Sequence, residues 1–430
     1  MISEKNIDIK NITTTDDKRG QTKYDNGRTK EMTKLLAPAG TLEKLYWVSA
    51  YGADEVYFGM KNFSLRSFAG NFTFEEAEEG LNHLHKLGKQ GFITLNIYPR
   101  SNEYEELKKT ARRLEEIGAD AFIVADIGLI STLIETCPKV PIHVSTQANT
   151  VSSQTSLFYS KMGATRVNLA RELSFDEIKQ IAEDTKGKIE TEVFIHGSVC
   201  FSYSGRCAIS DYLAKRGANK GQCAQSCRWK YYLSEETRPN EYMPVFEDER
   251  GLYLFNSRDL ALYRFVKQLQ EVGVTSLKIE GRMKNIHYLA SVVSIYRQLL
   301  DGKEIPDEKC LELLSRVSNR RYSEGFMRNG QVNENDYSTD LAKYISDAEF
   351  IAHGTGNIKD DMREFKVKGN MYAGETLEML TPNGDITSLT LPNPILCGDG
   401  KYREVVHSSD TAMLDKNLDE FAMLRRLREK

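Results

Sequence analysis

The chain has 430 residues, 40% of them hydrophobic and 28% charged, with a formal net charge of −4. That length exceeds what one hydrophobic core usually organises, so two folded units are expected, and the overall charge gives no sign of a nucleic-acid binder. There is no run of about 18 apolar residues, and the opening MISEKNIDIKNITTTDDKRG lacks the apolar stretch of a signal peptide, so a cytosolic protein with no membrane association is expected.

Residues 1–33 are polar, lack periodicity and read as a disordered tail. From Lys34 onward short apolar runs alternate with amphipathic stretches. The runs are LLAPA at 35–39, EVYF at 55–58, FITLNI at 92–97, AFIVA at 121–125, PIHVS at 141–145, RVNLA at 166–170, IETEVFI at 189–195 and SLKIE at 276–280. Helix candidates between them include 74–87, 102–117 and 174–186, the last opening with Ser174 and Glu177 at capping-box spacing. Eight strand–helix units predict an α/β fold, a TIM-like (β/α)8 barrel over 34–335.

The spacing breaks once. About sixty extra residues separate the strand ending at Ile195 from a helix expected to start near Asp259, giving an insertion over 197–258 that leaves the barrel at the C-terminal end of a strand. The run LYLF at 252–255 is a ninth strand candidate with no clear place. After a helical stretch at 307–318 and a polar linker around 329–340, residues 345–430 carry strand patterns and the turn signals Asn383-Gly384 and Cys397-Gly398-Asp399-Gly400. These predict a small β-rich C-terminal domain.

Of seven cysteines, Cys200, Cys207, Cys223 and Cys227 lie within 28 residues, where uniform density would put about half a cysteine. In a reducing compartment they read as thiolate metal ligands. The spacing C-x6-C-x15-C-x3-C fits an iron–sulfur cluster or zinc, although only the last pair has the short form of a zinc knuckle. Cys137, Cys310 and Cys397 are scattered and read as small buried side chains.

Strand alternation adds a second constellation. Lys278, Glu280 and Arg282 share a face, as do His143, Ser145 and Gln147, Thr94 and Asn96, and Glu192 and His196. Turned inward, these sets predict either a hydrated cavity for a polar ligand or an internal salt-bridge network through Lys278, Glu280 and Arg282. A third feature is the segment from Cys200 to Tyr232. It carries Arg206, Lys215, Arg216, Lys220, Arg228 and Lys230 against the single acid Asp211, interleaved with Phe201, Tyr203, Tyr212, Trp229, Tyr231 and Tyr232. Cations and aromatics so mixed suit an unpaired RNA loop, or else the aromatics simply cover the metal site. The signatures H-E-x-x-H, G-x-S-x-G and the Walker loop are absent from the sequence.

The stretch EVFIHGSVCFSYSGRCAIS from Glu192 to Ser210 resembles the signature of peptidase family U32, the collagenase-like peptidases. LLAPAG at 35–40, GADEVYFG at 52–59, FSLRSFAGNF at 63–72, GQCAQSCRW at 221–229, FNSRDL at 255–260 and SLKIEGRMK at 276–284 extend the resemblance over 34–330. It implies a [4Fe–4S] protein of oxygen-independent hydroxylation, closest to the branch that makes 5-hydroxyuridine at the tRNA wobble position, with prephenate as the possible hydroxyl donor. Many relatives have a further cysteine where this chain has Ala261, which leaves Cys227 as the fourth ligand beside Cys200, Cys207 and Cys223. His196, Glu280 and Arg282 are the candidate catalytic residues. Arg66, Arg171 and Lys278 are candidates for substrate or cofactor, and Lys215, Arg216 and Trp229 for tRNA. A paralogous family member is a possible partner. The alternatives are a peptidase, rRNA base hydroxylation, or a non-catalytic RNA-binding member of a heteromeric complex.

Overall fold

The computed structural model describes residues 32–61, 71–199, 258–328, 330 and 344–428, with 209–214, 216, 223, 224, 226 and four two-residue strands between 233 and 252. Seven parallel strands come first: β1 Lys34–Pro38, β2 Glu55–Gly59, β3 Gln90–Thr94, β4 Ala121–Val124, β5 Ile142–Val144, β6 Arg166–Asn168 and β7 Glu190–Ser198. An eighth, Ser276–Ile279, pairs in parallel with both β7 and β1 and closes the barrel. All eight fall on the apolar runs read from the sequence. Connecting helices cover the outside, among them α1 Leu42–Ala50, α2 Phe74–Lys86, α3 Tyr104–Glu116, α4 Ile127–Thr136, α5 Ser153–Met162 and α6 Phe175–Thr185. The capping box of Ser174 and Glu177 forms as its spacing predicts, and Thr73 with Glu76 forms another.

Alternation divides the strands into two cores. Leu35, Val56, Phe58, Ile93, Phe122 and Val124 pack outward against the helices, and Leu36, Tyr57, Phe92, Ala121 and Ile123 fill one side of the interior. Asp259 opens no helix, contrary to the sequence reading. Asp259–Ala261 is a strand that pairs antiparallel with the end of β7, and Tyr322–Ser323 extends the sheet beside it. The helix of that unit starts only at Val266. Of the ninth strand candidate, Leu252 lies in a two-residue strand paired with Glu247–Asp248, and 253–255 are outside the described residues.

The C-terminal part is a six-stranded antiparallel sheet in the order Ile386–Thr390, Thr376–Leu380, Met423–Leu427, Ala348–Lys359, Met362–Val367 and Thr411–Asp415. Its core is built on Ile351, Phe365, Val367, Leu377 and Leu424. The sheet packs on the barrel through buried Tyr51, whose hydroxyl lies 2.7 Å from the Phe421 carbonyl oxygen and 3.1 Å from that of Leu380. Among the described residues no helix is long and apolar enough to cross a membrane.

Candidate active site at the barrel mouth

The side of the interior opposite the apolar cluster is ionic. Arg166 holds Glu55 through both guanidinium nitrogens at 2.8 and 2.9 Å, and donates from Nε to Glu190 at 2.7 Å. Lys278 Nζ and Asn168 Nδ2 both donate to Glu192 Oε1, at 2.7 and 2.6 Å, and Ser276 donates to Glu55 at 2.8 Å. Burial opposes the charge of Arg166, but Glu55, Glu190 and Glu192 outweigh it and keep the guanidinium protonated. Burial also lowers the pKa of Lys278, with Glu192 acting against the shift. His143 is held neutral by burial and by the nearby charges of Arg166 and Lys278. Of the two readings of the polar interior, Lys278 therefore belongs to the internal network. Its partners are Glu192 and the rings of Tyr57 and Phe194, rather than Glu280 and Arg282.

Further along, at the C-terminal ends of the strands, lie Arg282 and Glu280, just past the closing strand. Buried Arg282 donates from Nη1 to Thr94 Oγ1 at 3.1 Å, and Thr94 in turn donates to the Phe58 carbonyl. Glu280 is also buried. A Cβ on Gly40 would come within 2.4 Å of the Arg282 carbonyl oxygen, so the LLAPAG loop needs glycine there to fit against the Arg282 turn. Around this end the side-chain oxygens of Asn96, Gln147, Asn149 and Asn168 are buried without a hydrogen-bond partner among the described residues. Buried acceptors without donors suit a ligand that brings N–H or O–H groups.

His196 does not join this set. The ladder between β7 and the closing strand pairs Lys278 with Phe194 and Ile279 with His196, so one residue bulges and the inward parity of Glu192 is lost by His196. Its ring packs instead among Tyr288, Tyr296 and Tyr322, with centroids 5.3–5.8 Å away, and Nδ1 lies 3.3 Å from the Tyr296 hydroxyl. Tyr288 and Tyr296 belong to the helix Ile286–Leu300, outside the barrel wall, so this geometry keeps His196 away from a ligand in the interior.

Burial pulls the pKa of His196 down to about 3 and that of His287, at the interface with the C-terminal sheet, likewise to about 3. The unfolded chain protonates both near pH 6.5 while the folded chain does not, so these groups remove stability as pH falls from about 6.5 toward 3. Melting followed by circular dichroism should give a lower Tm at pH 5 than at pH 7, with a shallower fall in His287→Phe. Equal slopes in the two proteins would contradict this.

The cysteine insertion leaves from the rim. Arg171 donates from Nη1 to the Ser198 carbonyl at 2.6 Å and lies over the Phe194 ring at 3.9 Å, which fixes the end of β7 two residues before Cys200. Cys223 is exposed, and its neighbour Ala224 donates its backbone N–H to Ser210 Oγ, at the start of the helix Ile209–Ala214. Arg216 is half-buried. Cys200, Cys207, Cys227, Arg66, Lys215 and Trp229 lie outside the described residues.

Sequence reasoning missed Glu55, Arg166 and Asn168. Arg166 and Asn168 carry the same i, i+2 signal that picked out Lys278 and Glu280, within a run read as apolar.

Fold and site together define a (β/α)8 protein with a polar interior and a thiol-bearing insertion at the mouth. Residues 40–336 match the profile of Peptidase family U32, and the chain belongs to that family. It is 37% identical to the tRNA hydroxylation protein P of Escherichia coli (strain K12), covering 85% of this chain and 92% of that one. It is 39% identical to the tRNA hydroxylation protein P1 of Bacillus subtilis (strain 168), over 68% of this chain and 70% of that one. Identity to the 23S rRNA 5-hydroxycytidine C2501 synthase of Escherichia coli (strain K12) is 35%, over 63% of this chain and 39% of that protein.

Proposed function

We propose that this chain is a cytoplasmic tRNA-modifying enzyme that hydroxylates C5 of the wobble uridine without molecular oxygen. The observation that carries the reading is the likeness to tRNA hydroxylation proteins, which spans barrel and C-terminal sheet alike. The polar mouth supports it. A uracil ring brings an N–H donor and two carbonyl acceptors, which suit the unpartnered amide oxygens of Asn96, Gln147, Asn149 and Asn168 and the guanidinium of Arg282.

Four thiolates are the donor set of an iron–sulfur cluster, and exposed Cys223, on the insertion that follows β7, fits such a group. When bound, a [4Fe–4S] cluster supplies one-electron chemistry beside the mouth. The chain's own residues bind and orient. Arg282, braced by Thr94 and by the Gly40 turn, presents a fixed cation to an anionic donor such as prephenate, whose carboxylates match guanidinium geometry. Arg171 holds the root of the cysteine segment.

Complementation tests the role of Arg282. In a strain lacking this chain, Arg282→Gln should restore less than about a tenth of the hydroxylated tRNA nucleoside, as loss of a positioned charge costs roughly 2 kcal/mol or more. Its iron content should match the wild type. Full restoration would remove Arg282 from the site.

A further inference from the structure

We propose that a cavity formed by Arg258, Tyr263, Arg264, Tyr322, Glu324 and Arg328 is a phosphodiester-binding subsite for RNA beside the barrel mouth. The proposal rests on the tRNA reading above and adds a place where the RNA backbone is held. The cavity has a volume of about 350 Å3. It lies on the strand pair Asp259–Ala261 and Tyr322–Ser323 that continues the sheet beyond β7, where Asp259 pairs with Ser198, two residues before Cys200. The cavity is thus at the end of the barrel where β7 leads into the thiol-bearing segment. Tyr322, which lines the cavity, also packs against the His196 ring with centroids 5.3 Å apart.

Its charge is out of balance. Arg264 binds Asp307 at 2.6 Å and Glu324 at 3.0 Å, and Arg328 binds the same Glu324. One lining carboxylate therefore serves two guanidinium groups. Arg258 makes no ion pair among the described residues, and its Nε is buried without an acceptor. A buried guanidinium nitrogen without an acceptor is costly, and a singly charged anion would satisfy it. Each phosphodiester carries one negative charge, and a cavity of this volume exceeds what an inorganic ion needs. The rim position suits a chain whose reactive base enters the barrel while its backbone stays outside. Arg258 and Arg264 stand six residues apart and Arg328 more than sixty residues further on, so no local motif announces the set.

Filter binding of unmodified tRNA over a salt series, with the iron-loaded full chain, tests the proposal. Arg258→Gln should weaken binding roughly 3–10-fold and reduce the slope of log affinity against log salt by about 0.7–1. Iron content and Tm should not change, and Arg403→Gln, in the short strand Tyr402–Arg403 of the C-terminal part, should bind as the wild type does. If Arg258→Gln keeps wild-type affinity and slope, the subsite is wrong and the hydroxylase reading stands. If the wild type itself fails to bind tRNA, both fall.

Discussion

Cys223→Ser and Cys227→Ser should each strip the purified protein of iron and abolish tRNA hydroxylation, whereas Cys137→Ser, Cys310→Ser and Cys397→Ser should leave both intact. This is the expected result if the four clustered thiols are the cluster ligands. The chemistry separates the two groups of cysteines. Cys137, Cys310 and Cys397 are buried in the two cores. Burial pushes the thiols of Cys137 and Cys310 up to about 11, so they stay protonated and are poor metal ligands at neutral pH. Cys223 is exposed, on the insertion that follows β7. Protein purified without oxygen should contain about four iron and four sulfide per chain. Stoichiometric zinc in place of iron, or a Cys227→Ser protein with full iron, would overturn this ligand set.

Arg166→Ala should destabilise the fold by roughly 3–5 kcal/mol, because it leaves buried carboxylates without their cation. Glu55 and Glu192 are each 1% exposed, and Arg166 is the centre that neutralises Glu55 and approaches Glu192 at 3.5 Å. The loss is a large part of the roughly 5–15 kcal/mol that holds a typical domain together. Urea unfolding should show the midpoint falling steeply. Adding Glu55→Gln should recover part of the loss, since the charge left unpaired is then removed. If Arg166→Ala unfolds like the wild type but loses activity, the network serves the ligand and not the barrel.

Most of the barrel was legible because parallel strands buried on both faces read as apolar runs, and their spacing reflects one strand and one helix per unit. What escaped depends on contacts between distant residues. The bulge in β7 leaves no trace in the alternation of IETEVFI, so Glu192 and His196 look like neighbours on one face when only Glu192 faces inward. FNSRDL resembles a helix start because Ser257 and Asp259 are cap-forming residues, yet pairing with Ser198 makes Asp259 a strand residue. Glu55 lies 111 residues from Arg166, and a single acid at the head of EVYF gives no hint of its partner. The polar residues at the strand ends were legible where two or three shared a parity, as with Thr94 and Asn96 or Glu280 and Arg282.

Nucleoside mass spectrometry of RNA from a strain lacking this chain tests the account most directly. The tRNA fraction should lose 5-hydroxyuridine and the nucleosides built on it, while 5-hydroxycytidine in 23S rRNA stays at its wild-type level. Wild-type protein should restore the tRNA modification, and Cys223→Ser should not. Unchanged 5-hydroxyuridine in tRNA from the deletion strain would contradict the account.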